Sequence, residues 1–145
     1  DKNLLKAVPK KIKTFSLYGN NTEFKNNSFD VVFIYCVLHH LHNDKEYYET
    51  INEVHRILKP NGLVFIAEPA RYKFFRLIEC VFYLFSFISK FAKTFSGMMK
   101  EEEKEQHYFL LNHYKVKNHL KKKRFKTLIN KYFFFSWIYV GSKNL

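Results

Sequence analysis

Glycine is scarce in this chain of 145 residues, which also contains only three prolines, two cysteines and one tryptophan. No two glycines are separated by a single residue, so no Gly-x-Gly loop is present in which bare backbone could approach a phosphate or a cofactor. A glycine-rich nucleotide-binding loop is therefore excluded within this sequence. The four glycines are Gly19, Gly62, Gly97 and Gly141.

Cysteine pairs and long apolar runs are also lacking. Cys36 and Cys80 lie in apolar runs without metal-ligand spacing, which predicts no disulfide framework, no zinc site and a reducing compartment. The apolar run at residues 80–89 is about half as long as the roughly 20 residues that span a bilayer. Residues 1–13 are charged and have no apolar signal core. We therefore expect a cytoplasmic chain, with peripheral membrane contact as an option.

Acidic residues are outnumbered by 25 Lys and Arg to 13 Asp and Glu, which gives a formal charge of +12. Residues 1–72 hold ten basic and eight acidic residues, or +2, whereas residues 73–145 hold fifteen and five, or +10. An AT-rich genome would load lysine onto any solvated face, and an anionic partner is the alternative explanation. One short basic run at residues 121–124 is weak support for nucleic-acid binding, so we predict no nucleic-acid partner.

Residues 28–69 predict a strand, a helix and a second strand. The run at 31–35 is short, β-branched and aromatic, which is typical of a strand buried on both faces. Asn43 or Asp44 then caps a helix with apolar residues at helical spacing, and Pro-Asn-Gly at 60–62 ends it. A second buried run follows. This order is a βαβ unit, whose strands should be parallel.

The same stretch resembles a known family in several linked phrases. They are Phe-Asp-Val-Val at 29–32, Val-Leu-His-His-Leu at 37–41, Glu53, and Arg-Ile-Leu-Lys-Pro-Asn-Gly at 56–62. Phrases in this order and spacing look like the second half of a class I S-adenosylmethionine-dependent methyltransferase of the small-molecule kind called type 11. The resemblance covers residues 1–69 well and the C-terminal residues loosely.

The resemblance implies an α/β, Rossmann-like three-layer methyltransferase fold with a mostly parallel sheet and an antiparallel C-terminal strand. The family's first strand, glycine-rich loop and second strand would precede Asp1, so we expect the N-terminal strands to be missing. Residues 14–18 fit the third strand. We expect one truncated domain over residues 1–145, with residues 70–106 as a helical lid or insertion.

The implied cofactor is S-adenosylmethionine. Asp1 matches the family's ribose-binding acid, and Asn20 stands where the family has an adenine-binding Asp, offering an amide oxygen without charge. A plain Gly-Asn-Asn turn is the alternative. Cys36 is expected to be a small buried residue rather than a nucleophile, since nothing nearby in sequence lowers its pKa. The predicted cofactor-binding residues are Asp1, Gly19, Asn20, Asn21, Tyr35 and Cys36.

His40 and Glu68 are the predicted catalytic residues. His39, His40 and His42 do not have the spacing of three or four that places two imidazoles on one helical face, so no metal site is predicted. His40 is either structural or a general base. Glu68 ends the second strand, where a carboxylate either orients an acceptor or caps the following residues. The implied reaction is methyl transfer to a small or lipid-like acceptor.

The second half of the chain leaves alternatives open. The aromatic stretch at 73–95 is a lid over the acceptor pocket, a surface for peripheral membrane contact, or a partner interface. Residues 100–106 predict a loop or an exposed helix start, residues 107–123 a helix, and the C-terminal residues a closing pair of strands. A second function stays open: a non-catalytic, degenerate methyltransferase-fold module that docks on a membrane or a protein. The oligomeric state is also left open.

Overall fold

The structure is a computed structural model that describes residues 5–70, 72–85, 89–133 and 136–144. A 3₁₀ turn, Leu38–His40, separates the first strand from the first helix. The other elements, in chain order, are β1 (Phe29–Tyr35), α1 (Asp44–Ile57), β2 (Leu58–Pro69), α2 (Tyr72–Phe85), α3 (Lys90–Lys122), β3 (Phe125–Phe133) and β4 (Ser136–Lys143).

The four strands form one mixed sheet in the order β1-β2-β4-β3. β1 and β2 are parallel, as the βαβ prediction requires. β4 is antiparallel to both of its neighbours, so β1, β2 and β3 run in one direction and the last strand runs in the other. The predicted antiparallel C-terminal strand is therefore confirmed, and so is the closing pair of strands.

α1 begins at the predicted cap. The Asn43 side chain accepts a hydrogen bond from the Glu46 backbone N–H at 3.0 Å, and its amide nitrogen donates to Glu46 Oε1 at 2.7 Å. The first bond satisfies the Glu46 N–H, which has no partner within the helix, and the second holds the two side chains together. Tyr47, Ile51 and Val54 then face the core at helical spacing. Asn43, rather than Asp44, is the N-cap.

The Pro-Asn-Gly segment interrupts β2 instead of preceding it. α1 ends at Ile57, and the pairing of β1 with β2 jumps from Phe29–Leu58 to Val31–Leu63. Asn61 has a φ of 63° in the bulge. A Cβ at Gly62 would lie 2.9 Å from the Lys59 carbonyl oxygen, so glycine is needed there for steric reasons.

The core lies between one face of the sheet, α1 and the C-terminal half of α3. The Trp137 ring is fully buried, and its Nε1 donates to Asn130 Oδ1 at 2.9 Å, which satisfies the polar atom of an otherwise apolar side chain. Phe109 lies between Tyr47 and Trp137, with ring centroids 6.1 and 6.4 Å away. Other fully buried apolar residues are Leu38, Ile51, Leu58, Val64, Ile66, Val116 and Leu120.

The prediction that β1 is buried on both faces is wrong. Ile34 is buried, but Val31, Phe33 and Tyr35 are 39%, 73% and 74% exposed. These three residues are two apart and Ile34 lies between them, so they share the face of β1 that is turned away from the core. The third strand expected at residues 14–18 is also absent from the described residues, where an isolated bridge from Tyr18 to Asn21 is the nearest equivalent.

Two further expectations are corrected. α3 is continuous from Lys90 to Lys122, so the charged segment at 100–106 is helical rather than a loop, as its Glu and Lys content permits. Cys36 is exposed rather than buried, because it lies just past the end of the edge strand. None of the helices in the described ranges is long and apolar enough to cross a membrane.

The exposed edge of β1 should promote self-association, because an unpaired strand edge with apolar side chains is a template for further pairing. We expect Phe33→Lys to lower concentration-dependent association in sedimentation velocity. The free energy of unfolding should change by less than about 1 kcal/mol, since the side chain is exposed. Tyr114→Lys, on α3, adds the same charge at another exposed aromatic residue. An equal effect of both substitutions would contradict a role for the strand edge.

Candidate functional site

The carboxyl ends of the parallel strands β1 and β2 meet at a tightly held turn. Tyr35 pairs with Ala67 in register, and the Cys36 backbone N–H donates to the Ala67 carbonyl oxygen at 3.0 Å. Cys36 has a φ of 51°, so the chain leaves β1 through a left-handed residue. Open α/β sheets place ligands at this edge, which makes the turn the candidate functional site.

Glu68 holds this turn from the neighbouring strand. Its Oε1 accepts the backbone N–H groups of Val37 and Leu38, each at 2.8 Å. Its Oε2 lies 2.8 Å from His39 Nδ1. Glu68 is 1% exposed and His39 is 3% exposed, so the carboxylate is buried with three hydrogen-bonding partners. A buried carboxylate without these partners would be costly.

The structure separates the two adjacent histidines. His39 is buried against Glu68, whereas His40 is exposed, with the two ring centroids 4.1 Å apart. The sequence pointed to His40 and missed His39. The 3₁₀ geometry of Leu38–His40 turns successive side chains to different sides, and only the pairing of β1 with β2 shows which histidine faces Glu68. The catalytic roles of His40 and Glu68 stay predictions.

The Gly-Asn-Asn turn lies beside α1. Asn20 Nδ2 donates to Glu49 Oε2 at 3.0 Å, which leaves the Asn20 amide oxygen as the acceptor not used in that bond. The Asn21 N–H donates to the Tyr18 carbonyl at 3.0 Å, and a Cβ on Gly19 would lie 3.9 Å from Thr50. The segment is therefore a tight turn, and the role of Asn20 in adenine binding stays a prediction.

Glu53 fixes this turn to α1. It accepts the Thr22 N–H at 2.8 Å and the Arg56 Nε–H at 2.7 Å, although it is buried. The Arg56 hydrogen bonds, with those from Thr22, lower the pKa of Glu53 from 4.5 to about 2 against the opposing effect of burial. Glu53, which is one of the residues that carry the family resemblance, thus has a structural role in this chain.

The predicted cofactor residues fall into two groups that belong to different parts of the chain. Tyr35 and Cys36 end β1 and are exposed, while Gly19, Asn20 and Asn21 form the turn on α1. Asp1 lies outside the described residues. In the described part of the chain, no three His, Cys, Asp or Glu side chains converge in a way that could hold a metal ion.

α2 carries an exposed apolar stripe. Leu77, Val81, Leu84 and Phe85 are exposed at spacings of four, three and one, which places the first three on one helical face. α2 is in contact with α3. This stripe lies in the segment expected to be a lid, a membrane surface or an interface.

Comparison with known proteins agrees with this geometry. Residues 2–66 match the family model described as a methyltransferase domain. A demethylmenaquinone methyltransferase of Bacillus licheniformis is 32% identical over 107 residues, which are 69% of this chain and 45% of that protein. The chain thus spans less than half the length of this curated relative.

Two solved structures share the fold. The PH0226 protein of Pyrococcus horikoshii OT3 has a TM-score of 0.64 at 17% identity, over 99% of this chain and 65% of that one. A SAM-dependent methyltransferase of Methanosarcina mazei has a TM-score of 0.53 at 18% identity, over 88% of this chain and 65% of that one. At these identities the likeness shows the fold alone.

The mixed sheet, the βαβ unit and these structural neighbours define a Rossmann-like methyltransferase fold. With the family match over residues 2–66 and the curated relative, they support a class I S-adenosylmethionine-dependent methyltransferase.

Removal of the Glu68 carboxylate should loosen the turn after β1. We expect Glu68→Ala to lower the free energy of unfolding by about 3–5 kcal/mol, because buried donors lose their acceptor. Glu68→Gln should cost less, since its amide oxygen can still accept the Val37 and Leu38 N–H groups. Denaturant unfolding measures both. Equal losses for the two variants would show that the backbone hydrogen bonds contribute little.

Glu53 should make stability depend on pH in acid. Its lowered pKa means that its contribution is complete above 4.5 and is lost as the pH falls towards 2. Glu53→Gln should therefore cost roughly 3 kcal/mol at neutral pH, with a difference from wild type that shrinks across this window. The exposed Glu23→Gln is the matched control. A cost for Glu53→Gln that stays constant with pH would contradict this explanation.

Proposed function

We propose that this chain belongs to an enzyme that transfers a methyl group from S-adenosylmethionine to a small or lipid-like acceptor. The observation that carries the proposal is the turn from Cys36 to His39, fixed by Glu68 at the carboxyl ends of two parallel strands in a chain of this family. A rigid backbone at this edge favours catalysis that depends on positioning.

The described residues fit part of the cofactor. The amide oxygen of Asn20 offers an acceptor for the adenine amino group, and the exposed Tyr35 and Cys36 offer a surface at the strand end. Asp1 is proposed to accept from the ribose hydroxyls. When bound, the cofactor supplies an activated sulfonium methyl. Because the sequence has no Gly-x-Gly loop for the methionine part, activity is proposed for an intact or complemented form.

The residues at the turn have different proposed roles. Glu68 already has hydrogen-bonding partners on both oxygens, so it suits a positioning role better than proton transfer in this arrangement. His40 is exposed, with its ring centroid 4.1 Å from the His39 ring centroid, and is the candidate base for an acceptor that must lose a proton. A segment that closes over the site would exclude water from the reacting groups.

The exposed stripe on α2 supports an apolar acceptor. A helix that follows β2 in the chain and presents Leu77, Val81 and Leu84 to solvent could cover a lipid-like molecule or contact a membrane surface. The name of the curated relative, a demethylmenaquinone methyltransferase, agrees with an apolar acceptor. Peripheral membrane contact through residues 73–95 is part of this proposal.

The same stripe favours a second candidate function. A non-catalytic module of this fold would use α2 and the basic second half of the chain to dock on a membrane or a protein. The two candidates differ in whether the pocket for the cofactor is functional.

Calorimetric titration with S-adenosylhomocysteine, the product form of the cofactor, tests the enzyme. We expect binding by the intact or complemented chain, and Asn20→Ala should weaken it about tenfold through loss of one acceptor in the site. Asn112→Ala, which removes an amide from α3 instead, should leave the affinity unchanged.

A folded chain that fails to bind S-adenosylhomocysteine when complemented would contradict the enzymatic proposal. If the same chain bound phosphatidylglycerol vesicles, and Leu84→Asp abolished that binding, the docking module would be supported instead. Circular dichroism of each variant establishes that the protein is folded.

A further inference from the structure

A hollow of about 320 Å³ lies between α1 and the C-terminal part of α3, apart from the candidate site. One lining residue, Tyr48, comes from α1. The other lining residues, all from α3, are Lys115, Asn118, His119, Lys121 and Lys122. Neither the proposed methyl transfer nor the family phrases use any of these side chains.

Two of the side chains that line the hollow pack against each other. The His119 and Tyr48 rings are stacked with centroids 4.5 Å apart and an interplanar angle of 29°. His119 Nε2 also lies 2.9 Å from Asn52 Oδ1, which ties α3 to α1 a second time. Lys115, Asn118, His119 and Lys122 share one face of α3, because their spacings are three, one and three. The packing of two helices therefore holds Tyr48 and His119 in place, while Asn118, Lys121 and Lys122 are exposed.

The positive charge at the hollow exceeds the nearby negative charge. Lys115 is neutralised by Asp44, with Nζ 2.8 Å from Oδ2. Lys121 and Lys122 form no ion pair with any residue that the structure describes. The segment at 117–124 contains five Lys or Arg and no acidic residue.

The surroundings of His119 lower its pKa. Burial lowers it first, and the positive charges of Lys123 and Lys122 lower it further. Tyr48 and Asn52 face the ring from α1 and bring no negative charge. A proton on His119 is thus opposed by its surroundings, and an anion in the hollow would counteract the contribution of the lysines.

We propose that this hollow is a binding site for a phosphate-type anion, with Lys121 and Lys122 supplying charge and Asn118 and Tyr48 supplying neutral donors. Ammonium, amide and hydroxyl groups all donate to phosphate oxygens, and no acid in the lining repels the anion. The ligand class is a phosphomonoester or pyrophosphate, either soluble or as a lipid headgroup.

Compensation of the α3 dipole does not account for all of this charge. The C-terminal end of a helix carries roughly half an elementary charge of negative sign. Two carbonyls of the last turn are already satisfied, because Lys123 N–H donates to the His119 oxygen and Arg124 N–H donates to the Lys121 oxygen, each at 2.9 Å. A single lysine would be enough for the dipole, so the remaining charge is available to a ligand.

The test follows the His119 imidazole by NMR during titration with inorganic pyrophosphate, with the ionic strength held constant by sodium chloride. We expect a saturable shift and a rise in the pKa of His119 on binding. Lys121→Gln/Lys122→Gln should weaken the affinity roughly thirtyfold, at about fivefold for each of the two charges lost. Lys126→Gln/Lys131→Gln, on exposed parts of β3, removes the same charge and should have little effect.

Vesicles of phosphatidylcholine with and without phosphatidic acid distinguish the two sources of the anion. Recruitment that requires phosphatidic acid, competes with pyrophosphate and depends on Lys121 and Lys122 identifies a lipid headgroup. Pyrophosphate binding without recruitment identifies a soluble phosphate. The site is ruled out if sodium chloride alone reproduces the His119 shift, or if both pairs of lysine substitutions weaken binding equally. Methyltransferase activity enters none of these measurements.

Discussion

The interaction on which the candidate site depends is the set of hydrogen bonds made by the Glu68 carboxylate. One oxygen accepts two consecutive backbone N–H groups from the turn after β1, and the other pairs with the buried His39. A single side chain of β2 thereby fixes the chain that leaves β1 in a left-handed conformation. Without it, parallel pairing would still align the strands, but the turn at their carboxyl ends would lack an anchor.

In this Rossmann-like fold, β1 is an edge strand and one of its faces is exposed. Strands of parallel sheets are usually covered on both faces, yet Phe33 and Tyr35 are largely exposed beside a fully packed core at Trp137. The chain also spans only 65% of its two structural neighbours and 45% of its curated relative. Both observations are compatible with the proposal that an intact or complemented form carries the activity.

The charge asymmetry of the sequence has a local structural counterpart. Some lysines of the second half are engaged in pairs, as Lys115 is with Asp44, or lie over aromatic rings, as Lys117 does over Tyr132. Others converge on the hollow between α1 and α3, where Lys121 and Lys122 are without acidic partners among the described residues. Whatever the cause of the lysine surplus, helix packing determines where its charge accumulates.

The sequence by itself determined the βαβ unit, a helix cap at Asn43 or Asp44, the closing strand pair and the family resemblance, because periodicity, caps and linked phrases are local signals. Tertiary structure alone decided that β1 is an edge strand, that Cys36 is exposed and that His39 rather than His40 meets Glu68. Those outcomes depend on which strands are neighbours and in what register. A one-residue change of register reverses the facing of every side chain, and no local pattern around two adjacent histidines carries that information.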